Sequence, residues 1–251
     1  MAIKTYNLYV KENGGWTPKG NVGGGEINAS YISILDGTAV SPIFPHGLTK
    51  IQTDMFKLNK KLTSPIIPDT VETIEVNAFY GCTNLSLAKL PDSLKMVYDS
   101  AFRECTNLKL TKLPNNLEAI GKTGFFSSGL ALTELPRGLT TLGASALGGC
   151  PNIKIREIPS SVTDLPNYVF NSCTGIEEML IHSQTKVSDY AFASCTGLKK
   201  VTFDGKVTIL QEAFNGCTNL TTINVPWAEG EVAYAPWGAT NATINYNYTG
   251  E

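Results

Sequence analysis

Six cysteines are the residues in this sequence with the most evident chemical potential, because thiolates bind metals, form disulfides and act as nucleophiles. They are Cys82, Cys105, Cys150, Cys173, Cys195 and Cys217. Successive members are 23, 45, 23, 22 and 22 residues apart. The gap of 45 is two steps of the same period, with Ser128 in the skipped position and Asn59 one step before the first cysteine. The cysteines therefore mark a repeat.

A metal or redox cluster is one explanation for these thiols. Such clusters need ligands close together, yet the sequence has no CxxC pair and no histidine in register with the cysteines. Equivalent positions of a repeat also point the same way, which is poor geometry for a disulfide. We therefore predict that the cysteines are free thiols filling a small buried core position, with the metal or redox cluster as the alternative.

No other residues form a recognisable catalytic set. The two histidines, His46 and His182, are six repeats apart, and the carboxylates occur singly. No Ser/His/Asp or Cys/His arrangement is evident. The sequence predicts that the chain is not an enzyme and holds no cofactor and no metal.

The elements that position the thiols follow the same period. A large apolar residue lies three residues before each cysteine position, at Phe56, Phe79, Phe102, Phe125, Leu147, Phe170, Phe192 and Phe214. A second lies five residues earlier, at Ile51, Ile74, Val97, Ile120, Leu142, Leu165, Val187 and Ile209. We call these the phenylalanine and isoleucine positions, and number repeats 1 to 8 by them.

Each repeat ends at a further fixed position, which we call the proline position. It is filled by Pro68, Pro91, Pro114, Pro136, Pro159, His182, Asp204 and Pro226. The segment before it, such as LKLTKLP (108–114), alternates in polarity and predicts a short strand. The A-F-x-x-C stretch predicts a compact helical or 3₁₀ turn. Stacked repeats would bury a shared core and place parallel strands about 4.8 Å apart.

The repeat pattern resembles the BspA-like leucine-rich repeats, the cysteine-bearing class of that fold. The resemblance rests on LPDSLKMVYDSAFRECTNL (90–108) and VTILQEAFNGCTNL (207–220). It implies a right-handed leucine-rich-repeat solenoid of about eight 22–23-residue turns, with short parallel strands on one face and a mixed β structure with short helical or 3₁₀ turns. It also implies adhesion or surface binding and supplies no catalytic residues.

We divide the chain into three parts. Residues 1–43 are a β and glycine-rich attachment or capping segment, 44–226 the solenoid, and 227–251 a C-terminal cap. Trp227 and Trp237 suit a cap that shields the last repeat, although a tryptophan- and tyrosine-rich ligand patch is the alternative. The two ends, MAIKTYNLYVKENGGWTP (1–18) and 227–251, also resemble phage tail and prophage proteins.

Outward positions beside the proline position form the predicted ligand face. The candidate ligand-binding residues are Lys89, Lys112, Glu134, Glu157, Thr202, Asn224, Lys109, Lys154 and Lys199. Like charges follow one another in neighbouring repeats, an arrangement that costs stability and favours a binding role, while a plain solvated face remains the alternative.

Composition limits the partners. Charged residues make up 17% of the chain and the net charge is -2, which disfavours nucleic acid and anionic membrane surfaces. No stretch approaches the ~18 apolar residues of a membrane span. We expect a protein or glycan partner on a cell surface, with other virion proteins contacting residues 1–43; a homo-oligomer is an open alternative.

Three functional hypotheses follow. The first is a phage or prophage virion component of the tail or fibre type that recognises a host surface, favoured by the N-terminus, which reads as no secretion signal. The second is a BspA-like adhesin, and the third an intracellular interaction scaffold. The expected location is the virion, or the cytoplasm after synthesis, with the cell surface as the alternative.

Overall fold

The computed structural model describes residues 5–12, 15–23, 44 and 47–250. From residue 47 the chain forms a parallel β-solenoid of about nine turns, one for each 22–23-residue repeat. No segment of these residues is a helix suited to crossing a membrane. The remaining described residues form an antiparallel hairpin of β1 (Thr5–Glu12) and β2 (Gly15–Gly23). The leucine-rich-repeat solenoid predicted from the sequence is confirmed.

Two parallel ladders of short strands run along the solenoid. The first consists of β3 (Lys50–Ile51), β4 (Thr73–Ile74), β5 (Met96–Val97), β6 (Ala119–Ile120), β7 (Thr141–Leu142), β8 (Asp164–Leu165), β10 (Lys186–Val187) and β12 (Thr208–Ile209). The second consists of β9 (Glu178–Ile181), β11 (Lys200–Phe203), β13 (Thr222–Asn224) and β14 (Thr243–Asn245). In the first ladder consecutive isoleucine positions pair, as Ile51 does with Ile74, except between β7 and β8, where the ladder is interrupted.

The predicted strand before the proline position is therefore wrong for the early repeats. There the segment is extended but makes isolated bonds, such as Ala131 N–H to the Leu110 carbonyl (2.9 Å). Proline offers no N–H and interrupts a ladder. Where Asp204 replaces proline, its N–H donates to the Ile181 carbonyl at 3.3 Å, and four-residue strands form. The strands of the second ladder thus lengthen where proline is lost.

The predicted helical or 3₁₀ turn at A-F-x-x-C is also wrong. The stretch is a run of β-turns in which N–H groups alternate between two kinds of acceptor. Asn77 N–H donates to the Asp99 carbonyl of the next repeat (3.0 Å), and Ala78 N–H to Glu75 in its own repeat (3.2 Å). A helix would use only local acceptors. We call the surface formed by these stretches the β-turn face. Its hydrogen bonds connect neighbouring repeats, as those of a β-sheet connect neighbouring strands.

The core is a column of stacked phenylalanines. Ring centroids of Phe56, Phe79, Phe102 and Phe125 are 5.0 to 5.3 Å apart in nearly parallel pairs. Leu147 interrupts the column, which resumes from Phe170 to Phe214. The spacing equals the strand separation of a parallel sheet, so one residue per repeat builds a continuous apolar interior.

A ninth repeat follows the eight that the sequence predicts. Trp237 is fully buried and accepts a hydrogen bond from Phe214 N–H through its carbonyl (2.9 Å). β14 adds to β13 in parallel, with Ile244 opposite Ile223. The bonds from Ala239 N–H to the Pro236 carbonyl (2.9 Å) and from Ala242 N–H to the Ala239 carbonyl (3.1 Å) place Pro236 and Ala239 at the phenylalanine and cysteine positions, so a search based on phenylalanine and cysteine does not find this repeat.

Candidate functional site

A cleft of about 470 Å³ lies on the outer side of the second ladder. Its residues come from the ends of repeats 5 to 9, whose strands lie side by side. The lining consists of Arg156, Glu178, Met179, Leu180, Lys200, Thr202, Phe203, Asp204, Pro226, Tyr248, Thr249 and Gly250. This mixture of apolar surface with a few convergent polar groups is typical of ligand sites.

The cleft presents charges of both signs. Arg156 and Lys200 supply two cations, and Glu178 and Asp204 supply two carboxylates. Glu178 and Lys200 occupy directly paired positions of β9 and β11. The Tyr248 N–H donates to the Val225 carbonyl (2.9 Å), which fixes Tyr248 at the rim. A ligand bound here would meet complementary groups for both positive and negative charge.

His182 joins three successive repeats at one end of the cleft. Its Nδ1 lies 2.5 Å from Asp204 Oδ2, and its Nε2 lies 2.9 Å from Glu157 Oε1. The sequence-based view that the carboxylates stand singly is therefore wrong at this point, because stacking brings residues 22 and 25 positions away beside the ring. Position 182 would otherwise carry proline, so its change of residue type was the available signal.

Protonation of this group follows from its contacts. Partial burial lowers the pKa of His182, but the hydrogen bonds that the ring donates to Asp204 and Glu157 outweigh that effect, and the net pKa lies above its usual value. For Asp204, burial raises the pKa, and the bonds from His182 and from Ser183 N–H bring it below its usual value. Both shifts favour an imidazolium between two carboxylates.

With each ring nitrogen facing a carboxylate, His182 has no free nitrogen to act as a base or to bind a metal. Ser183 donates its main-chain N–H to Asp204 Oδ1 (2.7 Å). Among residues 47–250, no group of three metal-ligating side chains has the geometry to hold a metal ion. The imidazolium of His182 therefore links three repeats by hydrogen bonds and offsets the negative charge of Asp204 and Glu157 at this end of the cleft.

The thiols lie away from this cleft and donate hydrogen bonds within the core. Cys82 Sγ donates to the Phe56 carbonyl of the preceding repeat (2.9 Å), and the other five cysteines bond the equivalent carbonyl at 3.0 to 3.1 Å. All six are free and buried. Burial raises the pKa of Cys82 and of Cys217 to about 12, so these thiols are neither nucleophiles nor ligands at neutral pH.

The predicted ligand residues are distributed along the solenoid rather than gathered. Exposed side chains are found at Lys89, Lys112, Glu134, Glu157, Lys109, Lys154 and Lys199. Several are paired with neighbours: Lys112 Nζ lies 3.8 Å from Glu134 Oε1, and Lys199 Nζ lies 3.0 Å from Glu177 Oε2. Only Thr202 of the predicted set lines the cleft. A ligand role for the exposed residues stays a prediction.

Asn224 is a correction, because the sequence placed it on the open face. It is only 4% exposed, lying between neighbours on both sides. Its Nδ2 donates to Thr202 Oγ1 (3.3 Å), and its Oδ1 accepts from Asn245 Nδ2 (2.8 Å). The ninth repeat supplies Asn245, and since that repeat was not recognised, position 224 was taken for an exposed edge.

Sequence reasoning missed most of the cleft, namely Arg156, Glu178, Lys200 and Tyr248. None of these residues belongs to a motif, and each is ordinary within its own repeat. The loss of proline at positions 182 and 204 marks the region where the strands lengthen and the cleft forms.

Comparison with known proteins agrees with this architecture. The profile of the BspA type leucine rich repeat region matches residues 38–154 and 125–232 in six copies. A leucine-rich repeat protein from Eubacterium ventriosum superposes with a TM-score of 0.50 at 18% identity, covering 90% of this chain and 79% of that one. A leucine-rich repeat protein from Bacteroides ovatus gives a TM-score of 0.47 at 19% identity, with 98% and 90% covered.

A third solved structure, the leucine rich repeat protein of T. pallidum, is 21% identical, with a TM-score of 0.49 over 72% of this chain and 78% of that one. No curated protein sequence matches the chain. The six profile copies span most of residues 38–232, and they coincide with the repeats seen in the structure. The chain belongs to the BspA-type leucine-rich-repeat family.

Proposed function

We propose that this protein is a non-catalytic binding protein that holds a protein or glycan of a cell surface in the cleft over β9, β11 and β13. Family membership supports a binding role, since leucine-rich repeat proteins generally bind other proteins or surface molecules. The observation that carries the proposal is the convergence of Arg156, Glu178, Lys200 and Asp204 around one cleft. A second depression of about 410 Å³, near Lys95 and Glu118, is lined by polar residues and glycine and lacks the apolar surface of the cleft.

The cleft can be blocked by a large side chain at position 202, although this removes the bond from Asn224 Nδ2 to Thr202 Oγ1 (3.3 Å), so circular dichroism must establish that the variant is folded. Thr202 is half-buried and lines the cleft, so Thr202→Trp fills the cavity with an indole. Thr221 is exposed, lies next to β13 outside the lining, and supplies a matched control in Thr221→Trp. Labelled full-length protein is titrated onto intact bacterial cells and onto cultured epithelial cells.

The proposal predicts saturable binding to one of these surfaces, weakened about tenfold or more by Thr202→Trp and unchanged by Thr221→Trp; tenfold corresponds to about 1.4 kcal/mol of binding free energy. Absence of binding to every surface, or equal binding by the two variants, contradicts it.

We further propose that the protein reaches its target as a virion component of a phage or prophage. Support comes from the likeness of residues 1–18 and 227–251 to tail and prophage proteins. Detection with a specific antibody in particles purified after prophage induction is the expected result. Detection on the surface of the producing cells and absence from particles would instead support the adhesin hypothesis, which the family itself favours.

A further inference from the structure

Repeats 4 to 6 differ from the others on the β-turn face, on a side of the molecule that the cleft does not use. The outer bend of repeat 5 reads GASALGG (143–149) and carries almost no outward side chain. At the equivalent positions repeat 4 carries Thr123 and Phe126, and repeat 6 carries Tyr168 and Asn171. Among the described residues, the outer bend of repeat 5 therefore carries smaller side chains than the bends on either side of it, and we call this place, over Ser145, the notch.

One wall of the notch is an aromatic stack. The rings of Tyr168 and Tyr190 are parallel within 3° and their centroids are 5.1 Å apart. The opposite face of Tyr168 is directed towards repeat 5, where the equivalent residue is only Ser145. Tyr168 is 42% exposed although a stacked partner covers one face.

The other wall is Phe126, whose ring makes a cation–π contact with Arg103. The Arg103 guanidinium lies 5.6 Å from the Phe126 ring centroid and 5.4 Å from that of Tyr80. The Phe126 ring leans over Gly148, where a Cβ would come within 3.2 Å of the ring. The absence of a side chain at position 148 therefore lets the ring take this place.

The two tyrosines occupy a backbone position that does not suit them. Tyr168 and Tyr190 have φ of 62° and 60°, in the left-handed region. The same position holds Asn77, Ser100 and Ser145 in other repeats, which are short polar residues that tolerate this region better. An aromatic side chain there costs about 1 kcal/mol; Tyr234 of the ninth repeat also has this backbone conformation (φ 68°), so the stacking of Tyr168 on Tyr190 is what distinguishes these two residues.

The width of the notch fits one ring. Successive repeats are about 5 Å apart, so the Tyr168 ring and the equivalent Thr123 position are separated by about 10 Å, twice the stacking distance. A ring inserted over Ser145 would extend the tyrosine stack by one member. The polar side chains at the rim are Ser145, the exposed Asn167 and the exposed Lys122; the Thr123 hydroxyl is already bonded to Ser100 Oγ and to the Lys122 carbonyl (2.7 Å each).

We infer that this notch is a sugar-binding site that holds one neutral pyranose ring of an oligosaccharide against Tyr168. The apolar C–H face of a pyranose packs on an aromatic face, and its hydroxyls exchange hydrogen bonds with hydroxyl and amide groups at the rim. A protein partner would require a larger apolar area than this notch offers. The site is separate from the cleft and does not depend on the function proposed for it.

The test uses full-length protein and three trisaccharides, maltotriose, cellotriose and chitotriose, with binding measured by NMR titration. Tyr168→Ser removes the stacking face and places there a residue that repeats 3 and 5 carry at the same position. Ser145→Tyr fills the notch with a residue that repeats 6 and 7 carry there. Tyr234→Ser, at an exposed tyrosine in the ninth repeat, is the control.

The inference predicts that at least one trisaccharide binds with a Kd of about 10 mM or tighter. Tyr168→Ser and Ser145→Tyr should each weaken it tenfold or more, while Tyr234→Ser leaves it unchanged. Circular dichroism establishes that the variants are folded, and Arg156→Glu/Lys200→Glu should bind the sugar normally, which separates this site from the cleft.

Absence of saccharide binding up to that concentration, or binding that both notch variants retain, overturns the inference. Binding of a protein that depends on Tyr168, with no trisaccharide bound, likewise overturns it and assigns the notch to a protein partner.

Discussion

At the scale of single residues, the thiols show how a repeat uses cysteine. Each Sγ donates to a main-chain carbonyl of the preceding repeat, as Cys173 does to Leu147 (3.1 Å). The thiol is small enough for the core, and its weak donor satisfies an acceptor lone pair. Ser128 takes the same position and contacts Cys150 Sγ at 3.4 Å, so a hydroxyl is tolerated there.

We predict that none of the six thiols reacts in the folded protein. Burial raises their pKa well above neutrality and blocks access. Titration with a chromogenic disulfide reagent should release no signal at pH 8 and six equivalents in guanidinium chloride. Fast reaction of one or more thiols in the native protein would contradict this assignment.

His182 should make the stability of the protein depend on pH. Its pKa in the folded state is raised, so its stabilising effect is fully present below its ordinary pKa of 6.5 and is lost as the pH rises through the folded value. The ring is 21% exposed, and the expected contribution is at most about 1 kcal/mol.

The measurement is the unfolding free energy of wild type and of His182→Gln at pH 6 and pH 9. The wild type should exceed the variant by more at pH 6 than at pH 9. A difference that is constant, or larger at pH 9, would show that the imidazolium does not pair with Glu157 and Asp204.

At the scale of elements, the residue at the proline position affects the length of the strands of the second ladder, although β13, which has three residues, forms before Pro226. β9 and β11 are four residues long and precede His182 and Asp204, whereas the equivalent segments before Pro91 and Pro114 form no strand. Sequence periodicity located these segments, but it could not show that proline would stop them from pairing.

We predict that Asp204→Pro shortens β11 and destabilises the protein by about 1 to 3 kcal/mol. The substitution removes the N–H that donates to the Ile181 carbonyl and the carboxylate that pairs with His182. Asp204→Asn keeps the N–H and is the control for charge alone. If the two variants melt at the same temperature, the main-chain bond has no measurable role.

The close contact between neighbouring repeats can be tested by substituting Gly197, which lies against the main chain of the preceding repeat. A Cβ at position 197 would lie 2.0 Å from the Thr174 carbonyl oxygen, which cannot move without breaking the stack. Gly197→Ala should cost more than about 2 kcal/mol. Gly230→Ala, at a left-handed φ of 85° in open space, should cost only about 1 kcal/mol. Equal losses in chemical denaturation would contradict the predicted steric contact.

At the scale of the whole molecule, the sequence predicted the solenoid and its core but not the cleft. The period of apolar residues defines which side chains stack, because a repeat buries its apolar residues only against its neighbours. Arg156, Lys200 and Tyr248 carry no such pattern, and they meet only after repeats 5 to 9 are stacked. The alternating bonds of the β-turn face were missed because the same residues suit a tight helical turn.

The ninth repeat packs on the eighth and covers its apolar residues. Trp227 and Trp237 pack on Phe203 with centroid distances of 5.5 and 6.4 Å. Truncation after residue 226 would expose these contacts and remove β14 and the Tyr248 rim of the cleft. We predict that the truncated chain aggregates and unfolds at a lower temperature than the full chain, as seen by light scattering and calorimetry; an equally soluble and stable fragment would show that the ninth repeat is dispensable.

The central claim is that the cleft on the second ladder, rather than the charged surface as a whole, determines binding. The most direct test compares the affinity of two double charge reversals for the surface that wild type binds. Arg156→Glu/Lys200→Glu alters the cleft, and Lys60→Glu/Lys61→Glu makes the same net change at exposed residues of repeat 1. The account predicts at least a tenfold loss for the first pair and less than a twofold loss for the second; equal losses for both pairs would contradict it.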